Sequence, residues 1–523
     1  MRAAIRMSCL QALPSARPNV RLLCRIAGAA ALVAAISGCS ALPDNSAVDA
    51  NTPPQWYASL PKSATKVDQA DAGKAEAGKA HDASMKSLSA WWQLQNDPLL
   101  VELVDAAQRV SPSVATARAN IAQARATRSI SGGALLPTLD VAGSISRGTL
   151  ASGSGSGGSS GGGSATPIAT TSQLGLQASW EIDVFGKNAA RRDAADERLL
   201  ASQAQWHDAR VVVAAEVAGQ YYNLRSCEKQ LAITKLDAAS RAETSRLTAL
   251  ATSAGFGAPA VAALARASAA EGASRLSQQR AQCAVIVKAL VALAGVDEPT
   301  LTQKLARSLL DAPDGQPQQA VENIPSVPAE ALGQRPDVFS AARDVAAARF
   351  DVGSAAAARL PRIALAGNIG AGRTRINGAS QGFDSWSFGP LSLSLPLLDG
   401  GVSRGNLDIA NARYEEATGK YKSVVRTAVR EVEEALVNLQ ATAERASDTD
   451  IAAVGYRASF EGTQARYKAG LASLVELEES RRTLLAAQGA LITLELERRN
   501  AWIALYRALG GGWRVDANAA PAP

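Results

Sequence analysis

The chain contains two copies of one sequence unit, and each copy includes a segment that begins and ends on proline. The first of these segments is Pro112–Pro137 and the second is Pro336–Pro361, and they align from end to end without a gap. Corresponding residues of these segments are 224 positions apart in the sequence. Further along, where Ala254–Phe256 corresponds to Ala469–Leu471, they are 215 positions apart. Solenoid repeats have periods of about 20–50 residues, so this much longer period indicates a duplicated domain. One structural unit is therefore used twice.

Each copy also contains a long run without proline, a glycine turn, and a second long run. Alanine dominates these runs, and with leucine, arginine and glutamate it favours helix. Helices of this length exceed those of ordinary globular domains and require long coiled-coil packing, for which Val217, Leu224 and Leu231 have the spacing of seven. The runs flank turns at Gly255 and Gly470 and cover about 188–251, 259–293, 404–467 and 474–509.

Between the short and the long helices of each copy, the hydrophobic period changes to two residues. This alternation predicts two strands of about ten residues in each copy, in hairpins over about 138–185 and about 362–398. The first hairpin contains the Gly/Ser tract Ser152–Ser164, and a parity slip near Pro390 predicts a bulge or bend in the second. The pattern is typical of membrane-barrel strands, the alternative being a soluble hairpin with a glycine-rich turn. The apolar positions are Leu139, Val141, Ile145, Leu174, Leu176, Trp180, Ile182, Ile363, Leu365, Ile369, Trp386, Phe388, Leu391, Leu393, Leu395 and Leu397.

Four strands are too few to close a membrane barrel. An open edge in lipid leaves backbone groups without hydrogen-bond partners, and even small barrels need about eight strands. We therefore expect several chains to contribute strands to one barrel, and their helices to continue it as a tube.

The N-terminus predicts an exported lipoprotein. Arg21 and Arg25 precede an apolar run of signal-peptide length, Ile26–Ile36, which is too short to span a bilayer. The run ends just before Cys39, in a pattern that resembles the lipobox, so residues 1–38 are predicted to be a signal peptide and Cys39 the lipidated residue. The alternative is ordinary signal cleavage beside an incidental cysteine. In Gram-negative lipoproteins, an aspartate directly after the lipidated cysteine commonly signals retention in the inner membrane. Ser40 at this position therefore resembles a sorting signal for the outer membrane.

The basic net charge is not evidence for a nucleic-acid partner. The formal charge is +6, but residues 1–38 contain five arginines and no acid, and without them 49 basic residues face 48 acidic ones. We therefore expect no nucleic-acid binding.

The two cysteines of the first long hairpin are predicted to form a disulfide. Cys227 and Cys283 lie at equal distances before and after Gly255 in the sequence. In an antiparallel helix pair, residues equidistant from the turn lie at the same height. An exported protein also meets an oxidising compartment. The alternative is two buried free thiols, since helix pairs often hold Cα atoms too far apart for a bridge.

The residue pattern predicts no catalytic site, no cofactor and no metal site. The two histidines, His81 and His207, lack metal-ligand spacing, and the Gly-rich tracts lack the Lys-Ser/Thr of a P-loop. The chain is therefore not expected to be an enzyme.

Seven motifs, in order along nearly the whole mature chain, resemble TolC-like outer-membrane efflux proteins, specifically the lipoprotein branch that serves resistance-nodulation-division pumps. The resemblance implies a homotrimer with a 12-stranded barrel and a long periplasmic helical tunnel. It also implies docking to a periplasmic adaptor protein and an inner-membrane resistance-nodulation-division transporter, and export of small molecules. The matching stretches are Trp92–Pro98, Leu135–Pro137, Trp180–Gly186, Arg335–Val338, Leu395–Gly401, Arg466–Gly470 and Ala504–Trp513.

The resemblance also implies a gate at the periplasmic tip of the tunnel. Counted from Gly470, the acidic pore positions of the family fall on Glu476 and Glu479, three apart on one helix face, and the family's tyrosine is matched by Tyr467. The residues that hold the family's gate closed form a network that we call the latch. Two of them are missing here, because Ala472 replaces the family's arginine and Val261 replaces its acid. Arg466 is a candidate substitute. The alternative is that Glu476, Glu478 and Glu479 form a solvated helix face.

The predicted fold class is an α+β membrane protein, with long antiparallel helical hairpins forming a periplasmic tunnel and four amphipathic strands per chain in a trimeric barrel. Two other functions remain open: an outer-membrane conduit for type I protein secretion, and a structural, non-conducting lipoprotein tether. The predicted segments are the signal peptide 1–38, a lipid-anchored extended arm 39–90, the first repeat 91–295, a linker 296–334, the second repeat 335–513 and a flexible tail 514–523.

Overall fold

A computed structural model describes residues 56–58, 91–94, 97–149, 168–311, 332, 335–376 and 378–513. The predicted signal peptide, Cys39, the Ser152–Ser164 tract and the tail 514–523 lie outside the described residues, as does the arm 39–90 apart from residues 56–58. The described residues form two compact units. One contains the described parts of 131–194 and 348–414, and the other those of 47–130, 195–347 and 415–523.

The helices follow the order expected of a duplicated unit. The short helices α3 and α7 each have 22 residues, and each begins on the first proline of its repeated segment, Pro112 or Pro336. The long helices α4 and α8 each have 67 residues and end just before the corresponding glycine turns. The correspondence read from the sequence is therefore present in the structure. The helices are α1 (Trp91–Leu94), α2 (Pro98–Val110), α3 (Pro112–Gly133), α4 (Lys187–Ser253), α5 (Pro259–Ala294), α6 (Glu298–Asp311), α7 (Pro336–Ala357), α8 (Val402–Lys468) and α9 (Leu474–Ala508).

The long helices pair as two antiparallel hairpins, within the unit that contains residues 195–347 and 415–513. In the first hairpin, Arg241 of α4 donates a hydrogen bond of 2.8 Å to Ser268 of α5, and the two residues lie at nearly equal distances from Gly255. In the second, Arg445 of α8 lies 2.7 Å from Glu497 of α9. At 1.5 Å per residue, each 67-residue helix is about 100 Å long.

The main core of this unit lies where the long helices pack against α1, α2 and α6. Of the predicted heptad positions, Val217 and Leu224 are buried and Leu231 packs against the cluster. Tyr221, one turn from each of the first two, is also buried and donates a hydrogen bond of 2.5 Å to Asp97 at the start of α2. The apolar seam predicted from the sequence is therefore the packed face of α4.

The strands form one antiparallel sheet in the order β1, β2, β3, β4, within the unit that contains residues 131–194 and 348–414. Because β2 pairs with β3, the sheet joins strands from both repeats. The register shifts between Leu365 and Gly367, opposite Pro390, so the predicted bulge is confirmed. The strands are β1 (Thr138–Thr149), β2 (Ile168–Ile182), β3 (Arg362–Ile376) and β4 (Ala379–Ser394).

A pair of glycines allows the central strands of the sheet to approach closely. Gly175 and Gly370 are paired across β2 and β3. A Cβ atom at Gly175 would lie 2.9 Å from the carbonyl oxygen of Ile369, and one at Gly370 would lie 2.8 Å from that of Leu174. Since any side chain would collide with the neighbouring backbone, both positions require glycine.

Two further segments differ from simple connections. The linker predicted over 296–334 contains helix α6, whose Leu301 and Leu305 are buried in the core. In the arm, the backbone N–H groups of Tyr57 and Ala58 each donate a hydrogen bond of 2.8 Å to Glu433 of α8. None of the helices that the structure describes combines the length and apolar character needed to cross a membrane.

Candidate functional site

The candidate gate lies at the turn of the second hairpin, between α8 and α9. The chain reverses at Gly470, whose φ of 74° places it in the left-handed region that favours glycine. The amide of Leu471 donates a hydrogen bond of 2.8 Å to the carbonyl oxygen of Arg466, which closes the end of α8. The turn thus fixes where α9 begins and which residues its first turns present.

Glu476 belongs to a capping box at the start of α9. Its backbone N–H donates a hydrogen bond of 3.2 Å to the Ser473 hydroxyl, and its carboxylate accepts one of 2.7 Å from the Ser473 amide. This reciprocal pair satisfies two backbone donors that the helix itself leaves unpaired. Its carboxylate therefore has a structural role besides any role in a pore.

Glu476 and Glu479 line one groove on the second hairpin. The groove has a volume of about 470 Å³, and the side chain of Glu479 within it is 65% exposed. Glu479 lies 2.9 Å from Arg482, one turn along α9. An exposed pair of this kind contributes little to stability, so its carboxylate remains available to other charges. The groove is lined by Tyr456, Ser459, Thr463, Arg466, Val475, Glu476, Glu479, Ser480 and Thr483.

Tyr467 connects the two hairpins near the turn. Its hydroxyl lies 3.3 Å from the Thr248 hydroxyl of α4. Because the Thr248 hydroxyl donates its own proton to the Thr244 carbonyl at 2.7 Å, Tyr467 is the donor in this contact. Its ring packs against Leu474 and Leu477, so Tyr467 holds the start of α9 against α4 and α5.

Arg466, the candidate substitute for the missing latch arginine, makes its hydrogen bond within its own turn. Its guanidinium donates this bond, of 3.2 Å, to the carbonyl oxygen of Leu471. Among the described residues, Arg466 forms no ion pair within 4.0 Å, although it lines the same groove as the two glutamates. Val261, at the position of the missing acid, is 38% exposed.

A buried charge network, which we call the α4–α9 network, lies beside the candidate gate. It consists of Asp237 and Arg241 of α4, Ser268 of α5, and Glu478 and Arg481 of α9. Arg241 lies 2.8 Å from Asp237, 2.8 Å from Ser268 and 3.1 Å from Glu478. Arg481 pairs with Glu478 on its own helix.

Arg481 also lies 3.7 Å from Asp237 and makes two further contacts. Its guanidinium donates a hydrogen bond of 2.9 Å to the Ser240 hydroxyl of α4 and lies over the ring of Phe460 of α8. The α4–α9 network contains two acids and two arginines and is formally neutral, as burial of charge requires. It therefore ties α9 to the first hairpin through charged contacts.

The solvated-face alternative is wrong for Glu478. Glu478 is buried and its carboxylate contacts both arginines of the network, whereas its neighbour Glu479 is exposed on the other side of α9. The two sides of α9 are thus distinct: one faces the α4–α9 network and the other faces the groove.

Cys227 and Cys283 are joined in a disulfide, with Cα atoms 5.6 Å apart. Both are buried in the main core, and the Gln279 side-chain amide lies 3.2 Å from the Cys227 sulfur. Their equal distances from Gly255 along the chain therefore correspond to equal heights in the helical hairpin.

The RPDV motif forms a second charged cluster, at the start of α7. Arg335 donates hydrogen bonds to the carbonyl oxygen of Ala508, to Glu431 and to Asp337, at 2.9, 2.7 and 2.8 Å. Burial raises the pKa of the nearby Asp208 carboxyl, and the negative charge of Asp337 raises it further. The motif therefore holds the beginning of the second repeat against the end of α9 and against α8.

In the part of the chain that the structure describes, no group of three or more His, Cys, Asp or Glu side chains is arranged to hold a metal ion. His207 packs against the rings of Trp206 and Trp513.

Both repeats match one protein family. The sequence profile described as outer membrane efflux protein matches residues 103–296 and 327–511, which together cover most of the chain. The chain belongs to the outer membrane efflux protein family. The helical hairpins, the four-stranded sheet and the turn at Gly470 are thus those of an outer-membrane efflux channel.

Named relatives of this efflux protein cover nearly its full length. It is 28% identical over 488 residues to the solvent efflux pump outer membrane protein SrpC of Pseudomonas putida, covering 92% of this chain and 97% of that one. It is 29% identical to the outer membrane protein OprJ of Pseudomonas aeruginosa, covering 85% and 90%. The solved structure of the outer-membrane channel OprN superposes with a TM-score of 0.72 at 25% identity, covering 91% of this chain and all of that one.

The α4–α9 network of this efflux protein was not found from the sequence. Its members come from the consecutive helices α4 and α5 and from α9, which is distant from both along the chain, and no motif links them. The one local signal is the i, i+3 spacing of Glu478 and Arg481, which the exposed pair Glu479 and Arg482 shares. Spacing alone therefore could not separate the buried pair from the exposed one.

Proposed function

We propose that this efflux protein is the outer-membrane channel of a tripartite pump and exports small molecules from the periplasm as a homotrimer. The observation that carries the proposal is the sheet: within the described residues, β1 and β4 form its edges. Backbone groups at an edge need partners in lipid, and pairing β4 of one chain with β1 of the next supplies them. Three chains then give one 12-stranded barrel, and their long helices form the periplasmic tunnel.

The mature chain is proposed to be anchored by lipid on Cys39. The support is the sequence Ile36–Cys39 after a signal-length apolar run, with Ser40 as the sorting signal for the outer membrane. Expression of a Cys39→Ser variant abolishes labelling with a radioactive fatty acid if this proposal is right.

The proposed partners are a periplasmic adaptor protein and an inner-membrane resistance-nodulation-division transporter. The names of two relatives support this proposal. SrpC is named a solvent efflux pump outer membrane protein, and TtgI is named a toluene efflux pump outer membrane protein. We infer small, apolar compounds as the substrate class on the same ground.

The gate is proposed to lie at Glu476 and Glu479, with Tyr467 holding the start of α9 in place. Three copies around a pore would give two acidic rings, which attract cations and repel one another when unpaired. The double variant Glu476→Gln/Glu479→Gln should lower the cation selectivity of the purified trimer in planar bilayers. A matched double variant, Glu102→Gln/Glu298→Gln, neutralises two acids outside the long hairpins that pair with lysines, and its selectivity should equal that of the wild type.

The export function is tested by accumulation of ethidium in cells. Deletion of the gene should raise ethidium accumulation, and the wild-type gene should restore the low level at equal amounts of protein in the outer membrane. Unchanged accumulation combined with loss of a secreted protein would favour the type I secretion conduit. Unchanged accumulation and secretion, with a change in envelope spacing, would favour the tether.

A further inference from the structure

One face of the four-stranded sheet is apolar over most of its length. Direct partners in an antiparallel sheet lie on the same face, so the register assigns each residue to a row on that face. The apolar rows run from Ile182, Ile363 and Leu393 to Gly143, Leu174 and Ala371, and the last of these rows ends in Asp384 on β4. Large side chains in them are exposed in the single chain: Leu139, Val141, Leu174, Ile369, Trp386, Phe388, Leu391 and Leu393.

These rows have the dimensions of a membrane-facing band. From Ile182 to Leu174 the strand advances about 26 Å at about 3.3 Å per residue. At a strand tilt of about 40°, this is about 20 Å of depth, near the roughly 25 Å apolar band of outer-membrane barrels. Trp180 lies towards one border of the band and Trp386 towards the other, the positions that interfacial aromatic residues occupy.

Three arginines lie on this same face just beyond the band. Thr170 of β2 pairs with Arg147 of β1 on one side and with Arg375 of β3 on the other, and Ser172 pairs with Arg373. Arg147 and Arg375 are therefore two strands apart, which places their Cα atoms about 9.6 Å from each other. Arg373 and Arg375 are two residues apart on β3, which places their Cα atoms about 6.7 Å from each other. All three side chains are exposed. We call Arg147, Arg373 and Arg375 the arginine cluster.

The arginine cluster has little negative charge around it. The tract from Leu150 to Pro167, which connects β1 to β2, contains no aspartate or glutamate. The acid nearest in register is Asp384, paired with Ala371 in the adjoining row. Across the described residues, none of the three arginines forms an ion pair within 4.0 Å. The cluster is thus a concentrated positive charge that the described sheet does not neutralise.

The cluster lies at the hairpin end of the sheet. The chain enters β1 at Thr138 and leaves β2 at Ile182, both at the opposite end, while β1 ends at Thr149 and β2 begins at Ile168, at the same end as the arginines. Outer-membrane barrels place their longer connections outside the cell. The arginine cluster therefore falls at the level of the headgroups of the outer leaflet.

We propose that the arginine cluster binds the phosphate groups of a phosphorylated, acylated saccharide lipid of the outer leaflet. The inference rests on the proposed channel function, because that function places the apolar rows in the outer membrane. Guanidinium groups bind phosphate oxygens through paired hydrogen bonds, and the outward face next to the cluster is apolar enough to contact acyl chains. Ile145 and Ile168 flank Arg147 and Thr170 on this face and supply that contact. Three chains would present nine arginines around the barrel.

The test measures binding of lipid A that carries both phosphates to the purified full-length trimer, by native mass spectrometry. The variant Arg147→Gln/Arg373→Gln/Arg375→Gln should bind at least about tenfold more weakly, since each arginine loses charge-assisted hydrogen bonds. The matched control Arg362→Gln/Arg404→Gln/Arg413→Gln removes three exposed arginines elsewhere and should bind like the wild type. Lipid A with its phosphates removed, and phosphatidylglycerol, should bind weakly to all three proteins.

Equal binding by the cluster variant and the control, or equal binding of phosphorylated and phosphate-free lipid A, overturns the inference. If the triple variant does not assemble, the inference is tested by measuring lipid A binding to the three single variants and to the wild type over a range of salt concentrations. Binding to the cluster weakens as salt screens the charges, and binding that does not depend on salt contradicts it. Conductance of the same preparations separates the two claims: a wild-type trimer that conducts but binds lipid A like the cluster variant refutes this inference alone. A wild-type trimer that does not conduct refutes the proposed function.

Discussion

Glu478 and Glu479 are neighbours on α9, yet their side chains lie in opposite environments. Each pairs with an arginine three residues along the helix, but the pair of Glu478 is buried and that of Glu479 is exposed. A buried charge that loses its partner destabilises a protein strongly, because its desolvation is no longer compensated, whereas exposed pairs contribute little. The same substitution at adjacent positions therefore isolates the effect of burial.

We expect Glu478→Gln to destabilise the folded protein by on the order of 3 kcal/mol, since Arg241 and Arg481 lose their shared carboxylate. Glu479→Gln should change stability by less than about 0.5 kcal/mol. Thermal denaturation followed by circular dichroism gives both values. Equal shifts in the denaturation midpoint for the two variants would show that the α4–α9 network is not the cause.

Asp208 gives a dependence of stability on pH. Burial raises the pKa of its carboxyl group above 3.8, the value for the unfolded chain. The folded chain therefore keeps this carboxyl protonated at pH values at which the unfolded chain has lost the proton. As pH rises through the folded-state pKa, Asp208 ionises in the folded chain and lowers its stability. Asp208→Asn should therefore raise the denaturation midpoint at pH 7, and the gain should shrink as pH falls below the folded-state pKa and disappear below the unfolded value of 3.8. A gain of the same size at pH 3.5 and pH 7 would contradict this assignment.

At the scale of elements, the helices and strands could be predicted because their signals are local and periodic. The alternation of Leu174, Leu176 and Trp180 predicted β2, and the parity slip near Pro390 predicted the bulge. The disulfide could be predicted because residues at equal distances from the turn of an antiparallel helical hairpin lie side by side. Helix α6 was not separated from the linker, since its short apolar pattern adjoins a proline-rich segment.

The disulfide should stabilise the first hairpin. Cys227 and Cys283 are 56 residues apart, so the bond restricts a long loop of the unfolded chain. Non-reducing peptide mapping should recover the two cysteine peptides as one linked species, and Cys283→Ser should destabilise the protein by about 2–4 kcal/mol. Alkylation of both thiols in denatured, unreduced protein would contradict the bond.

The connection between β1 and β2 should be exposed at the cell surface. Ser152–Ser164 is long and rich in glycine and serine, as extracellular connections of barrels are. An epitope inserted after Ser159 should bind antibody on intact cells. Binding only after the outer membrane is permeabilised would place this end of the sheet in the periplasm, and would also remove the basis for the arginine cluster as a lipid site.

For the whole molecule, the sequence predicted that a single chain is incomplete, because four strands leave two edges. The family resemblance, counted from Gly470, placed the candidate gate at Glu476 and Glu479, and both line one groove. The α4–α9 network depends instead on contacts between three helices that no local pattern encodes. Long-range packing of charged side chains is thus the part of the site that requires the structure.

The central claim is that three chains form one conducting outer-membrane channel. Planar-bilayer recording of the purified protein, with its mass measured in the same detergent, tests this most directly. We predict a trimer that gives discrete, cation-selective conductance steps, with selectivity reduced in Glu476→Gln/Glu479→Gln. A folded trimer that inserts into the bilayer and gives no conductance, with and without these substitutions, would contradict the account.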